Sequence, residues 1–271
     1  MSNPFVDIES GPLPHLQGPA VLPASPSVSN PPPVDEPWET RFKYGWRDVR
    51  HINADGEAQW IQAPLTRDDV LHPQEGDHQL HNDPHQVFCH YLYTVFKAQL
   101  TFDPTAVVFQ DTGIFWDDPT LKHNSPDVTV ILGVREQRDW TSFYVEEEGV
   151  RPVLAVEVTS PQAIDVDLVD KRQIYERARV PFYVIVETDP KTGTRPRRLI
   201  GYRLAPTGYV RMASDERGWI WLEPVRLFIG IQDKRVECYD GSGKRMGSYS
   251  EVIAELEAMA QARAAAEARA D

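Results

Sequence analysis

Residues 151–187 read RPVLAVEVTSPQAIDVDLVDKRQIYERARVPFYVIVE. Two nearly continuous apolar runs, 153–158 and 182–187, flank a more polar segment. Runs of this kind suit central strands that are covered on both faces. The segment between them predicts a helix over Leu168–Ala178, ended by Arg179, Val180 and Pro181, because the residue before a proline resists helical angles. Strand, crossover helix and strand make a βαβ-like unit. Glu157 does not suit a plain core strand. An ionised carboxylate in a dry interior costs several kcal/mol unless it is paired or metal-bound.

Further strands are predicted over Ala106–Gln110, Ile114–Trp116 and Val128–Leu132. Asp127 opens the last of these. If the runs at Val128 and Val153 pair, Asp127 and Glu157 point to one side and can share a divalent cation. Hard oxygen ligands suit Mg²⁺, with Mn²⁺ as an alternative. Lys171, on the helix returning over the sheet, would bring an ammonium to that cluster. There it could orient or deprotonate a water, or stabilise charge developing on a phosphate. Plainer readings stay open from spacing alone. Asp127 could cap a turn after Pro126, Glu157 could pair with Arg151 or Arg172, and Lys171 could lie on a solvated helix face.

The flanking sequence fits a single α/β (α+β) domain with tails. Residues 1–37, rich in proline and serine, predict a disordered segment. The domain is expected over 38–245 and an Ala/Glu/Arg-rich helix over 246–271. The stretch ETRFKYGWRDVR has strand character, and Thr66 suits the N-cap of a short helix. In NDPHQVFCHYLYTVFKAQL, Asp83 and Pro84 suit a helix start, and apolar residues recur at Val87, Phe88, Tyr91, Leu92, Val95 and Phe96. From Arg198 onward, short alternating runs predict a β-meander. The terminal helix lacks a full apolar stripe, so it is expected to be exposed and is a candidate for self-association.

The chain has 271 residues and a net charge of −13. Such a protein has no global attraction for nucleic acid, so DNA contact needs a local basic face. The stretch DPKTGTRPRRLIGYR, with Lys171, Arg172, Arg177 and Arg179, could supply one. Cys89 and Cys238 sit in no metal-spaced cluster and read as buried thiols of a reducing compartment. The first residues carry no signal-peptide pattern, and no run approaches the ~20 apolar residues of a membrane span. The expected location is the cytoplasm.

Several of these residues resemble a known family. Pro126 and Asp127, the run Glu157–Pro161, Asp167, Asp170 and Lys171, Tyr175, and Arg179–Tyr183 together look like the Uma-type restriction endonuclease family. That family belongs to the PD-(D/E)XK nuclease superfamily. The stretches HPQEGD and DERGWIWLE extend the resemblance to roughly 65–240. It implies a restriction-endonuclease-like core, a mixed sheet flanked by helices with a metal site at one end. It also implies a Mg²⁺-dependent endonuclease acting on DNA. By resemblance Asp127 and Glu157 are the paired metal-binding acids, and the Val158 backbone carbonyl is a further metal ligand. Thr159 stands where the superfamily usually has lysine, so the lysine role passes to Lys171. Supporting roles fall to Asp167, which also suits a helix cap, and to Tyr175, one turn beyond Lys171. His85, more simply a surface or capping histidine, and Glu75 and Asp77 as extra ligands complete the set. Two other readings compete. One is a catalytically silent nuclease-fold module for binding or assembly. The other, weaker, is a carboxylate-pair glycosidase, in which Lys171 would have no role.

Overall fold

The computed structural model describes residues 37–53, 55–79, 83–159, 163–189 and 191–267. The segment expected to be disordered lies outside these apart from Pro37, as do Ser160 and Pro161.

The described chain begins with a lead-in. One helical turn, α1 (Trp38–Arg41), precedes β1 (Trp46–Ile52) and β2 (Ala58–Pro64), which pair antiparallel. Helix α2 (Arg67–Leu71) follows. Thr66 and Asp69 form a reciprocal capping box at its start, which satisfies two of the free amides there. Strand β3 (Asp77–His78) then adds to β1 on its other side. Helix α3 (Asp83–Gln99) buries His85, Phe88, Cys89, Leu92, Val95 and Phe96, a stripe at three- and four-residue spacing.

Next come β4 (Val107–Gln110), β5 (Gly113–Phe115), β6 (Val128–Ile131), β7 (Ser142–Tyr144), the turn α4 (Val145–Glu148) and β8 (Pro152–Val158). A π-helical segment (Val166–Lys171) runs into α5 (Arg172–Arg177), which leads to β9 (Phe182–Thr188). β10 (Pro196–Ala205), β11 (Gly208–Arg211), β12 (Ile220–Leu222), β13 (Leu227–Gln232), β14 (Arg235–Tyr239) and α6 (Tyr249–Glu267) complete the described elements.

The central sheet has the strand order β11-β10-β9-β8-β6-β4. Its β8–β9 pair is parallel and the other pairs are antiparallel, so this is the expected mixed sheet flanked by helices. Alternation along the strands divides the core. Leu154, Val156, Val158, Val184 and Val186 pack with α3 and the β12–β14 sheet. Ala155, Tyr183 and Ile185 pack with Tyr175, Ala178 and Val180 on the other side. Glu157 shares the parity of Ala155, and so faces the π segment and α5.

The strand expected at 114–116 forms as β5, which pairs in parallel with β7 outside the central sheet. Two expectations need correction. The helix expected from Leu168 starts earlier, and its first turn is π-helical over Val166–Lys171. The meander is only the β12–β13–β14 sheet, because β10 pairs with β9 and extends the central sheet. Inside the meander Gly230 is obligatory: a Cβ there would stand 2.4 Å from the Trp219 ring, which itself stacks on Tyr239. Both cysteines are buried and free, as expected. Among the described residues no helix is long and apolar enough to cross a membrane.

Candidate active site

The site is set by strand register. β6 and β8 pair with Val128 opposite Val156 and Thr129 opposite Ala155. One step further puts Asp127 opposite Glu157, on the face covered by the π segment. Asp127 Oδ2 accepts the Val158 backbone N–H at 2.7 Å and lies 3.2 Å from His85 Nε2. Glu157 Oε2 accepts from Lys171 Nζ at 2.8 Å, and Glu157 Oε1 accepts from the Tyr175 hydroxyl at 2.5 Å. The Tyr175 oxygen in turn accepts from Asn124 Nδ2 at 2.7 Å, and Asn124 Oδ1 accepts from Trp116 Nε1 at 3.0 Å. A chain of buried donors thus fixes the glutamate from behind.

The plainer readings of the acids and the lysine fail. Glu157 is 0% exposed and Lys171 only 8%, so neither is a solvated surface group. Arg151 bonds Asp117 and the Ala178 carbonyl, while Arg172 lies over the Tyr202 ring. The π segment explains Lys171. Its wider turn carries both Asp167 and Lys171 inward, and they pair at 3.1 Å. Asp167 lies inside the π segment, whose N-cap is Asp165, and pairs with Lys171, contrary to the capping expectation. Tyr183 donates to the Asp167 carbonyl at 2.8 Å and so ties that turn to the sheet.

His85 is also corrected. It is buried on the α3 stripe against Asp127, not a surface or capping residue. Its place was readable, since positions 85, 88, 89, 92 and 96 share one helix face. Thr159 clips β8 to β9: its hydroxyl accepts the Thr188 N–H at 2.9 Å, and its carbonyl accepts the Thr188 hydroxyl at 2.6 Å. Asp77 is held by Arg47 Nη2 at 3.0 Å, and Glu75 is exposed, so neither joins the cluster. Val158 lines the cleft alongside the acids.

Sequence reasoning missed Asp111. It follows β4 with φ at 50°, in the left-handed region that Asp tolerates better than most residues, and its N–H bonds the Asp127 carbonyl at 3.4 Å. The polar turn QDTG after an apolar run was the available signal. Asp111, Asp127, Glu157, Asp167 and Lys171 line one cleft of about 190 Å³, which Lys43, Tyr44 and Val70 of the lead-in also line.

The electrostatics follow from burial and crowding. Burial lifts Glu157 to about 8; Lys171 pulls the other way, and Asp127 and Asp167 add repulsion. Burial and the Asp127 charge raise Asp111 to about 6. Asp127 is lowered despite its burial, because His85 and Lys171 stabilise its charge and the Val158 amide bonds it. Burial alone would lower Lys171, but the facing Asp167, Glu157 and Asp127 raise it, so it stays an ammonium.

Four carboxylates face one ammonium and one imidazole, so the cluster keeps surplus negative charge even with both cations protonated. That donor set fits a hard divalent ion held by oxygens. His85, Cys89 and Asp127 also bring donor atoms within 4.8 Å of one another. Burial pushes the Cys89 thiol far up, so in the metal-free protein it is a protonated packing group.

Residues 76–239 match the Uma2 family, described as "Putative restriction endonuclease". The chain belongs to that family. Among solved structures it is similar to one described as a "putative nuclease belonging to DUF820" from Anabaena variabilis, with 12% identity and a TM-score of 0.43, covering 60% of this chain and 91% of that one. No curated protein matches it. Family membership makes this a nuclease-like chain, as the resemblance implied.

Proposed function

We propose that this chain is a Mg²⁺-dependent endonuclease that hydrolyses phosphodiester bonds in DNA, with residues 38–245 as its catalytic domain. The observation that carries the reading is the placement of Asp127 opposite Glu157 with Lys171 Nζ 2.8 Å from the glutamate. Asp127 and Glu157 would hold the ion, with the Val158 carbonyl beside them. Mn²⁺ suits the same oxygens. Bound there, the ion would polarise the phosphate and lower the pKa of a water.

The protein's own groups supply the rest. His85 and the Val158 amide fix Asp127, and Tyr175 with Asn124 fixes Glu157. Lys171, raised and therefore an ammonium, stabilises negative charge on the phosphate and does not act as a base. Asp111, raised to about 6 at the cleft wall, takes the proton from the attacking water. The water oxygen bonds phosphorus, the bond to the leaving oxygen breaks, and that oxygen takes a proton from solvent.

The test is cleavage of plasmid and linear DNA with Mg²⁺ or Mn²⁺ and with chelator. Metal-dependent scission lost in Asp127→Ala supports the reading; scission unchanged in that variant sinks it. One observation favours a second reading, a catalytically silent nuclease-fold module: Lys171 is already ion-paired by both Glu157 and Asp167. Calorimetric titration separates the two, because the module would bind neither ion. The exposed face of α6, with Leu256 and Met259, suits self-association of either form, and sedimentation of full-length and α6-truncated chains tests it.

A further inference from the structure

The residues that line the cleft differ in charge: acids come from the ends of β4, β6 and β8 and from the π segment, and the lead-in adds Lys43 and Tyr44. A phosphodiester entering such a cleft is repelled by the acids unless a cation meets it. The nearby cations are nearly all committed. Lys171 is held by Glu157 and Asp167, His85 by Asp127, Arg67 by Asp170, and Arg47 by Asp69 and Asp77. Lys43 is exposed, its Nζ lies 4.8 Å from the centre of the Tyr44 ring, and no carboxylate among the described residues pairs with it.

The lead-in is pinned through α2 and the loop after it, and the Leu65 N–H bonds the Gly45 carbonyl beside the Lys43 segment at 3.0 Å. Arg67 of α2 donates to Asp170 of the π segment at 2.6 Å, and Lys122 donates to Asp68 at 2.9 Å. The His72 ring bonds the His123 carbonyl at 2.7 Å, and the His123 ring bonds the Pro73 carbonyl at 2.9 Å. The lead-in is therefore part of the cleft. It also lies outside the family match, which begins at residue 76.

We infer that Lys43 is a substrate-binding residue, which contacts a backbone phosphate of nucleic acid in the cleft that Asp127 and Glu157 also line. The inference rests on the nuclease reading above and names a contact that the family-matched segment does not contain. Tyr44, under the ammonium, limits the directions in which that side chain can point.

The test compares wild type with Lys43→Ala, Lys43→Arg and Lys97→Ala. Lys97 is the control: an exposed lysine with its Nζ 5.2 Å from the Tyr93 ring centre, outside this cleft. Binding of a 5′-fluorescein oligonucleotide is read by anisotropy in Ca²⁺ over a salt series, with intact substrate checked on gels. Mn²⁺ affinity is read by calorimetry. Lys43→Ala should weaken DNA binding about tenfold and flatten the log–log salt dependence by about one, the change for one lost phosphate contact. Lys43→Arg should keep the slope, Lys97→Ala should match wild type, and Mn²⁺ affinity should not change in any of them. A Lys43→Ala protein with wild-type DNA affinity and salt slope overturns the inference while leaving the nuclease reading intact. A wild type that binds neither oligonucleotide nor Mn²⁺ overturns the nuclease reading, and this inference with it.

Discussion

Asp127 stands opposite Glu157 across the β6–β8 ladder, one step beyond the Val128–Val156 pair. Side chains opposite each other on antiparallel strands lie on one face with Cβ atoms about 5 Å apart, near enough for two carboxylates to share an ion. Glu157→Gln keeps the shape and removes the charge. It should weaken Mn²⁺ binding in calorimetry and lower cleavage by more than about a hundredfold, the upper range seen when only an outer partner of a metal ligand is lost. Wild-type Mn²⁺ affinity in Glu157→Gln would remove the residue from the ligand set.

Tyr175→Phe tests the support behind the glutamate. The change leaves the Asn124 amide without its acceptor and Glu157 Oε1 without its donor. Unsatisfied buried groups of this kind cost about 1–3 kcal/mol each, so the urea midpoint should fall clearly. Activity should drop about ten- to a hundredfold through misorientation of Glu157. A variant with full stability and full activity would mean that Tyr175 only fills space.

The metal-free protein should lose stability as pH rises from 5 to 8.5. Folded Glu157 is raised to about 8 from an ordinary value of 4.5. Between those values the folded state keeps a proton that the unfolded state releases, so stability falls by up to about 1.4 kcal/mol per pH unit. The contribution is complete below 4.5 and lost by the time pH passes about 8. Asp111, raised to about 6, and His85, also raised, act with the same sign. Asp127 is lowered and acts the other way, but only below its ordinary 3.8. Urea midpoints in chelator measure the trend, and Glu157→Gln should flatten it. A wild-type midpoint that rises across this window would show that Glu157 is not raised.

Much of this architecture is legible in the residues. The Thr66 cap, the α3 stripe and the apolar runs at 153–158 and 182–187 are local signals, and the structure follows them. Glu157 is conspicuous because its parity puts a charge where alternation demands an apolar group. The π segment left no such trace, since an α-period pattern around Val166–Lys171 fits either winding. The inward turn of Asp167 depends on that winding. The assignment of β10 to the central sheet depends on pairing with β9, which no local pattern reports. Asp111 and Lys43 come from distant segments and become neighbours of Asp127 only through tertiary packing.

Lys171 separates structural from chemical roles most sharply. Its ammonium lies 2.8 Å from Glu157 and 3.1 Å from Asp167, and all three groups are buried. Lys171→Met would leave two carboxylates facing each other without their cation. Removing one partner from such a cluster costs about 3–5 kcal/mol, because an uncompensated charge stays buried. Glu157, raised to about 8, already carries a proton at neutral pH, so the charge left behind is that of Asp167, and much of the cost should disappear as pH falls and Asp167, also raised by burial, accepts a proton. It should also shrink when Asp167→Asn is added, since that change removes the remaining charge. If Lys171 serves only the fold, the double variant regains both stability and cleavage. If it stabilises phosphate charge, the double variant regains stability but stays inactive at every pH. Urea midpoints and cleavage rates on the same preparations decide between these outcomes.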